Sequence, residues 1–274
     1  MSEDKQGVSL EMLETRLNTA EANVVSALKA RSVASRHLLM ALQGEGNTIA
    51  MTVVSSLSRL ARQAKATDQS QLLLRWGVEF LIDMHVSGLE QVCVSGAEPI
   101  RIFDQARSMF GHQIPMQFEK DPRDTLQSCA DKDSCVGVLG WMTQAGSGQW
   151  WPMLNESKYH DLRIIGGWPI VLADAPYAAI VARGPLADTP NTRTLLMAHD
   201  DHLRLKKIFG ELGLYPHELS RARSLVLFEI SESMAESDPR LTAAREAGLD
   251  GLRVVGSLPA FVAQAANDDA VRHG

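Results

Sequence analysis

Counted in alternating steps of three and four from Leu10, the positions Leu13, Leu17, Ala20, Val24, Ala27, Arg31, Ala34 and Leu38 fall on one face of a helix. This predicts a long first helix whose apolar seam is interrupted by one arginine. Glycine and asparagine at Gly44, Gly46 and Asn47 break it, and a polar stretch at 66–70 makes a second break, so residues 9–91 read as three helices. The second runs through Ile49, Val53, Ser56, Leu57, Leu60 and Ala64. The third starts at Gln69, carries Leu73, Trp76, Phe80 and Met84 on one face, and continues that face to Ser87 and Gln91. Arg31 stays charged, so if buried it needs an anion. A carboxylate such as Glu79, a guanidinium reaching water and a bound anionic ligand all meet that need at this point.

At Val92 the pattern changes, because Val-Cys-Val-Ser-Gly is a short apolar run closed by glycine, followed by a helical pattern ending at Phe110 and Gly111. Further strands are expected at 114–118, 135–139, 162–165 and 178–181. A helix is expected at 122–130, where Asp121 can cap and Pro122 can open it. After Pro190 the order is strand 194–199, helix 201–212 closed by Gly213, an extended stretch 217–221, strand 224–230, helix 239–247 closed by Gly248, and strand 252–257. That βαββαβ order is the ferredoxin-like arrangement. The fold class is therefore multi-domain, α followed by α/β: a helical domain 1–91, a small α/β lobe 92–190, and a ferredoxin-like domain 191–274 with a polar tail.

Composition narrows the classes. A net charge of -6 and no basic run argue against nucleic acid or anionic membrane as partners. Cys93, Cys129 and Cys135 are odd in number and lack metal-ligand spacing, which fits a reduced cytoplasm. The start of the chain is polar and no uninterrupted apolar run of about 18 residues occurs, so export and membrane spanning are not expected. Trp141, Trp150, Trp151 and Trp168 read as core or interface. His199 and His202 beside Asp200 and Asp201 read as a helix N-cap in preference to a metal site. No cofactor is expected.

A long helix with a mid-seam arginine, two shorter helices, and a Ser and a Gln four apart resemble the all-helical chorismate mutases. The resemblance implies that Arg31 holds a carboxylate of chorismate and that Ser87 and Gln91 contact its polar oxygens. VCVSGAEPIRIFDQARSMFG resembles the opening of a prephenate dehydratase domain, and PNTRTLL resembles that family's Asn-x-Thr-Arg-Phe motif, with Thr192 and Arg193 on the substrate-binding Thr and Arg. The closing βαββαβ unit resembles the ACT module, where Ser220 and Arg221 match part of an effector motif for an aromatic amino acid. From about Leu10 to Phe261 the order is that of the bifunctional mutase-dehydratase. The resemblance implies a homodimer acting in aromatic amino acid biosynthesis.

Departures from the pattern bear on activity. Glu14 stands where a second substrate arginine belongs, Leu42 where a lysine belongs, and Ser55 and Val54 near the acid and arginine of the second helix. The dehydratase opening loop reads Gly-Ala-Glu-Pro-Ile-Arg, so Pro99 and Ile100 replace a glycine and a hydroxyl donor. Thr194 replaces the motif's Phe, and the chain between Leu139 and Asn191 is short for a second lobe. Dehydration is therefore expected to be lost. Two functions follow: a chorismate mutase with a thinned cationic site, or a non-catalytic regulatory or interaction protein that binds a partner enzyme or an aromatic metabolite.

Overall fold

The computed structural model describes residues 10–43, 89–111, 114–141, 149–168, 176–183 and 192–259. Helix α1, Leu10–Gln43, is a single helix of 34 residues, as the seam implies. The described positions of that seam face solvent, with Leu13 at 49%, Leu17 at 59% and Val24 at 41% exposure. The second and third helices expected at 49–91 lie outside the described residues, except for the last few positions, which are not helical.

From Gln91 onward the chain alternates strands and helices. The elements are β1 (Gln91–Ser95), α2 (Pro99–Phe110), β2 (Met116–Phe118), α3 (Pro122–Asp131), β3 (Cys135–Gly140), β4 (Leu162–Trp168) and β5 (Ala178–Arg183). They continue with β6 (Thr192–His199), α4 (Leu205–Glu211), β7 (His217–Ala222), β8 (Leu225–Ile230), α5 (Pro239–Glu246) and β9 (Arg253–Pro259). Two 3-10 turns, Trp151–Asn155 and Ser157–Tyr159, link β3 to β4.

All nine strands form one mixed sheet in the order β2-β1-β3-β5-β4-β9-β6-β8-β7. The first half is parallel through β2, β1 and β3, and β5 then runs antiparallel to both β3 and β4. The second half has the order β9-β6-β8-β7, antiparallel throughout, which is the ferredoxin-like arrangement read from the sequence. The halves join where β4 runs parallel to β9 at Ile164 and Gly256. A Cβ on Gly256 would lie 2.6 Å from both Cβ and the carbonyl oxygen of Ile164, so only glycine permits this approach.

The alternation of each strand divides the core. Val92, Val94, Val136 and Val138 pack under α2, while Cys93, Cys135 and Leu139 face α3 and the tryptophan-bearing turns. That second cluster is continuous across the sheet, from Leu126 and Trp150 to Met197, Leu227 and Val255. Helices α4 and α5 cover the opposite face of β6, β8 and β9. The two C-terminal α/β units thus share one sheet and one core layer.

Local signals account for the helix starts. Asp121 accepts from the Arg123 amide at 2.9 Å and Asp238 from the Arg240 amide at 2.9 Å, each with proline in the first turn. Helix α4 starts four residues later than the pattern implies. Asp200 Oδ1 accepts from the amides of Arg204 (2.7 Å) and Leu205 (3.2 Å), which leaves 201–204 as a turn with Leu203 at φ 54°. Asp200, one of the two acids beside His199, thus holds the start of α4, whose N-cap residue is Arg204.

Candidate functional site

The chain leaves β1 through α2 to reach β2 on one side, then returns through α3 to β3 on the other. Connections that depart in opposite directions from adjacent parallel strands open a crevice at the carboxyl ends of those strands. Here the crevice is lined by Gly96, Glu98, Arg101 and Gln105 from the β1–α2 segment, Gly140 from the end of β3, and Tyr177 at the start of β5. It is a shallow notch with a cavity volume of about 20 Å³, open to solvent.

Each lining group has a local cause. A Cβ on Gly96 would meet Ile102 Cδ1 at 2.9 Å, so glycine lets α2 settle onto the end of β1. Because β5 is antiparallel to β3, Ala178 pairs with Gly140 and brings Tyr177 to the same edge. One backbone and one side-chain hydrogen bond fix that corner: the Trp141 amide donates to the Tyr177 carbonyl at 2.9 Å, and the indole Nε1 of Trp150 donates to the Gly140 carbonyl at 2.8 Å. The Arg101 guanidinium lies 4.5 Å over the Tyr177 ring and 3.1 Å from Glu98. Glu98 precedes α2 without capping it through its side chain, so the positive end of the helix faces the same opening. The mouth of the crevice thus presents a cation and a flat ring side by side.

Behind the crevice Cys135 Sγ lies 3.7 Å from Cys93 Sγ and 3.9 Å from Cys129 Sγ, all three buried. Hydrogen bonding with Cys129, then burial, pushes the Cys135 thiol up to about 12. The contact with Cys135, then burial, raises Cys93 well above the ordinary thiol range. Both stay protonated at neutral pH and pack as small apolar groups, not as nucleophiles. Among the described residues no group of three or more His, Cys, Asp or Glu side chains is placed to hold a metal ion.

The sequence-derived candidates fall in separate places. Arg31 lies in α1, its side chain outside the described part, and Ser87 lies outside the described residues altogether. Gln91 is not the last turn of a helix. It opens β1 opposite Cys135, and its Nε2 donates to Gln117 Oε1 at 2.9 Å. The apolar run that follows it pairs on both sides, and strand pairing extends back to include it.

Thr192 and Arg193 open β6, an interior strand four strand positions from β3, or about 19 Å at ~4.8 Å per strand. Arg193 Nη1 lies 3.1 Å from both oxygens of Glu229, so its charge is engaged across the sheet. Thr194 donates to the Glu232 carbonyl at 2.6 Å and accepts from the Met234 amide at 2.8 Å, which makes it a loop anchor. In β7, Ser220 accepts from Trp151 Nε1 at 3.2 Å. Arg221 is held between Glu218 at 2.9 Å and Asp200 at 3.4 Å, and its hydrogen bond holds the Glu218 carboxyl below the usual range. Substrate and effector readings thus meet Arg193, Ser220 and Arg221 already partnered within the chain, while the side chain of Thr192 lies outside the described part. Tyr177 and Glu229 carried no sequence signal, since both act through partners distant in the chain.

No family model matches the chain, and no curated protein matches it. Among solved structures it is similar to GqqA, described as a novel type of quorum quenching acylase, at 15% identity and TM-score 0.42 over 63% of this chain and 96% of that one. It is similar to prephenate dehydratase from Streptococcus mutans at 10% identity and TM-score 0.45, over 62% of this chain and 97% of that one. It is also similar to prephenate dehydratase in complex with L-Phe from Arthrobacter aurescens, at 11% identity and TM-score 0.44, over 67% of this chain and all of that one.

Proposed function

We propose that this chain is a ligand-binding protein of aromatic amino acid metabolism that holds a small aromatic carboxylate in the β1/β3 crevice and does not dehydrate it. The observation that carries this reading is Arg101 stacked on Tyr177 at the switch point of the parallel strands. The guanidinium supplies the carboxylate partner and the ring supplies a flat apolar contact. The absence of dehydration rests on Pro99 and Ile100 in the opening loop, on Thr194 as a loop anchor, and on Arg193 closed by Glu229. An ACT-like role for the βαββαβ half and a homodimer belong to the same reading.

A second reading, conversion of chorismate to prephenate, is favoured by one feature. Helix α1 carries Arg31 in its sequence seam, and the described seam residues Leu13, Leu17 and Val24 are exposed, as in a helix made to pack against others.

One set of measurements tests both readings. Titration calorimetry with prephenate, L-Phe and L-Tyr is expected to give saturable binding of at least one of them, lost in Arg101→Ala, with prephenate unconsumed on incubation. Absence of binding to all three, binding unchanged in Arg101→Ala, or consumption of prephenate overturns the binding reading. Disappearance of chorismate with the wild type but not with Arg31→Ala supports the mutase reading, and no disappearance removes it.

A further inference from the structure

The junction of the two half-sheets holds two arginines without acidic partners. Arg253, the first residue of β9, is only 6% exposed, and it donates from Nη1 to the Leu154 carbonyl at 3.2 Å and from Nη2 to the His160 carbonyl at 3.0 Å. Its Nε is buried with no partner. Arg163 in β4, half-buried, donates to the same His160 carbonyl and to the Leu162 carbonyl at 2.9 Å. Two guanidinium groups therefore converge on one neutral oxygen.

Among the described residues no carboxylate lies within ion-pair distance of either group. Glu236, itself exposed, is taken by Arg245 and by the Val254 amide at 2.7 Å. Asp161 sits on the exposed turn before β4 and makes no ion pair with either arginine. Burial lowers the affinity of both guanidinium groups for their protons, Arg253 to about 10 with repulsion from Arg163 added, against the weaker opposite pull of Glu236 and Asp161, and burial and the same two arginines lower His160. A guanidinium does not give up its proton at neutral pH, so two positive charges, offset only from a distance by Glu236 and Asp161, stay side by side at the junction and favour an anion between them.

We propose that Arg163 and Arg253 form an oxyanion site at the β4–β9 junction, which takes a small carboxylate or phosphate between the two guanidinium groups. The half-buried Arg163 forms its entrance and the buried Nε of Arg253 its inner donor. An oxyanion has two or more oxygens in a geometry that guanidinium donors match, whereas the carbonyls now serving both groups are neutral. The site stands apart from the β1/β3 crevice and does not depend on the reading of that crevice. Because its two arginines come from different halves of the sheet, an anion there would tie the halves together.

The test uses the full chain, with inorganic phosphate and malonate as separate probes, each against sodium chloride at equal ionic strength. The wild type is expected to show a saturable heat of binding with at least one probe and a rise in melting temperature over chloride. The probe that binds tighter identifies the source as phosphate or carboxylate. Arg163→Gln is expected to bind about ten-fold more weakly or worse. Arg253→Met is expected to lose binding and, in chloride alone, to be at least as stable as the wild type, since an unpaired buried charge has been removed. No saturable heat with either probe, or equal affinity in Arg163→Gln, overturns the proposal. Should Arg253→Met fail to fold, the Arg163→Gln titration decides alone.

Discussion

In the parallel half of the sheet Arg101 rests on Tyr177 at the mouth of a crevice, with one exposed partner in Glu98. In the βαββαβ half several arginines are closed by carboxylates, while Arg253 of β9 meets only carbonyls. Arg193 is held by Glu229, Arg221 by Glu218 and Asp200, and Arg240 by Asp238 and Glu232. Arg123 and Arg183 of the parallel half are also paired, with Glu156 and Asp133, so the contrast is between Arg101 and the cross-strand pair Arg193–Glu229, and it follows from topology. Parallel strands with crossovers to both sides leave a gap at their carboxyl ends, while an antiparallel sheet places side chains of neighbouring strands opposite one another, where opposite charges close on themselves. Residue type alone thus says little; an arginine is left open to solvent or closed as a cross-strand staple according to what its element faces.

The largest expected effect comes from the layer the two halves share. Trp150 is fully buried, belongs to the continuous core cluster, and holds the Gly140 carbonyl. Trp150→Ala should cost about 3–5 kcal/mol by chemical denaturation, as large buried aromatic truncations do. The comparison predicts one transition moved as a whole. Two separate transitions in the variant would mean that the halves fold independently despite the shared layer.

Gly256→Ala tests the joint itself. The added methyl would meet the Ile164 carbonyl at 2.6 Å, which β4 and β9 can relieve only by moving apart. A loss of about 1–3 kcal/mol is expected. Unfolding followed by tryptophan fluorescence, to which the βαββαβ half contributes no residue, should no longer coincide with unfolding followed by far-ultraviolet circular dichroism. Coincident curves with unchanged stability would show that the joint is dispensable.

The smallest effect is a pH dependence at the same junction. Burial, then the charges of Arg253 and Arg163, hold the exposed His160 below its ordinary 6.5, against the opposite pull of Asp161 and Glu236. The unfolded chain therefore takes up a proton at higher pH than the folded one, so this contribution is complete above about 6.5 and is lost as pH falls through the lowered folded value. Melting temperature should decline between pH 7 and 5, and His160→Asn should flatten part of that decline. A steeper acid decline in His160→Asn would contradict the assignment.

Local elements were legible wherever the signal was local. The cap and proline at Asp121 and Pro122, the apolar run at Val92–Val94 and the order of six elements after Pro190 all appear where the pattern places them. The tryptophans expected in a core are there, with Trp150 and Trp151 fully buried. Gln91 was misplaced because a four-residue spacing has the same form at the end of a helix and at the start of a strand, and only the partners on β2 and β3 distinguish them.

By itself the sequence determined the elements, because caps, breakers and periodicity act over a few residues. Tertiary structure alone decided that the two α/β units share one sheet, that Tyr177 meets Arg101, that Arg193 and Arg221 are closed by carboxylates, and that Arg163 and Arg253 are not. Those outcomes depend on which side chains are brought within a few ångströms from strands tens of residues apart. Electrostatic and packing energies are set at that range, and no spacing along the chain encodes it.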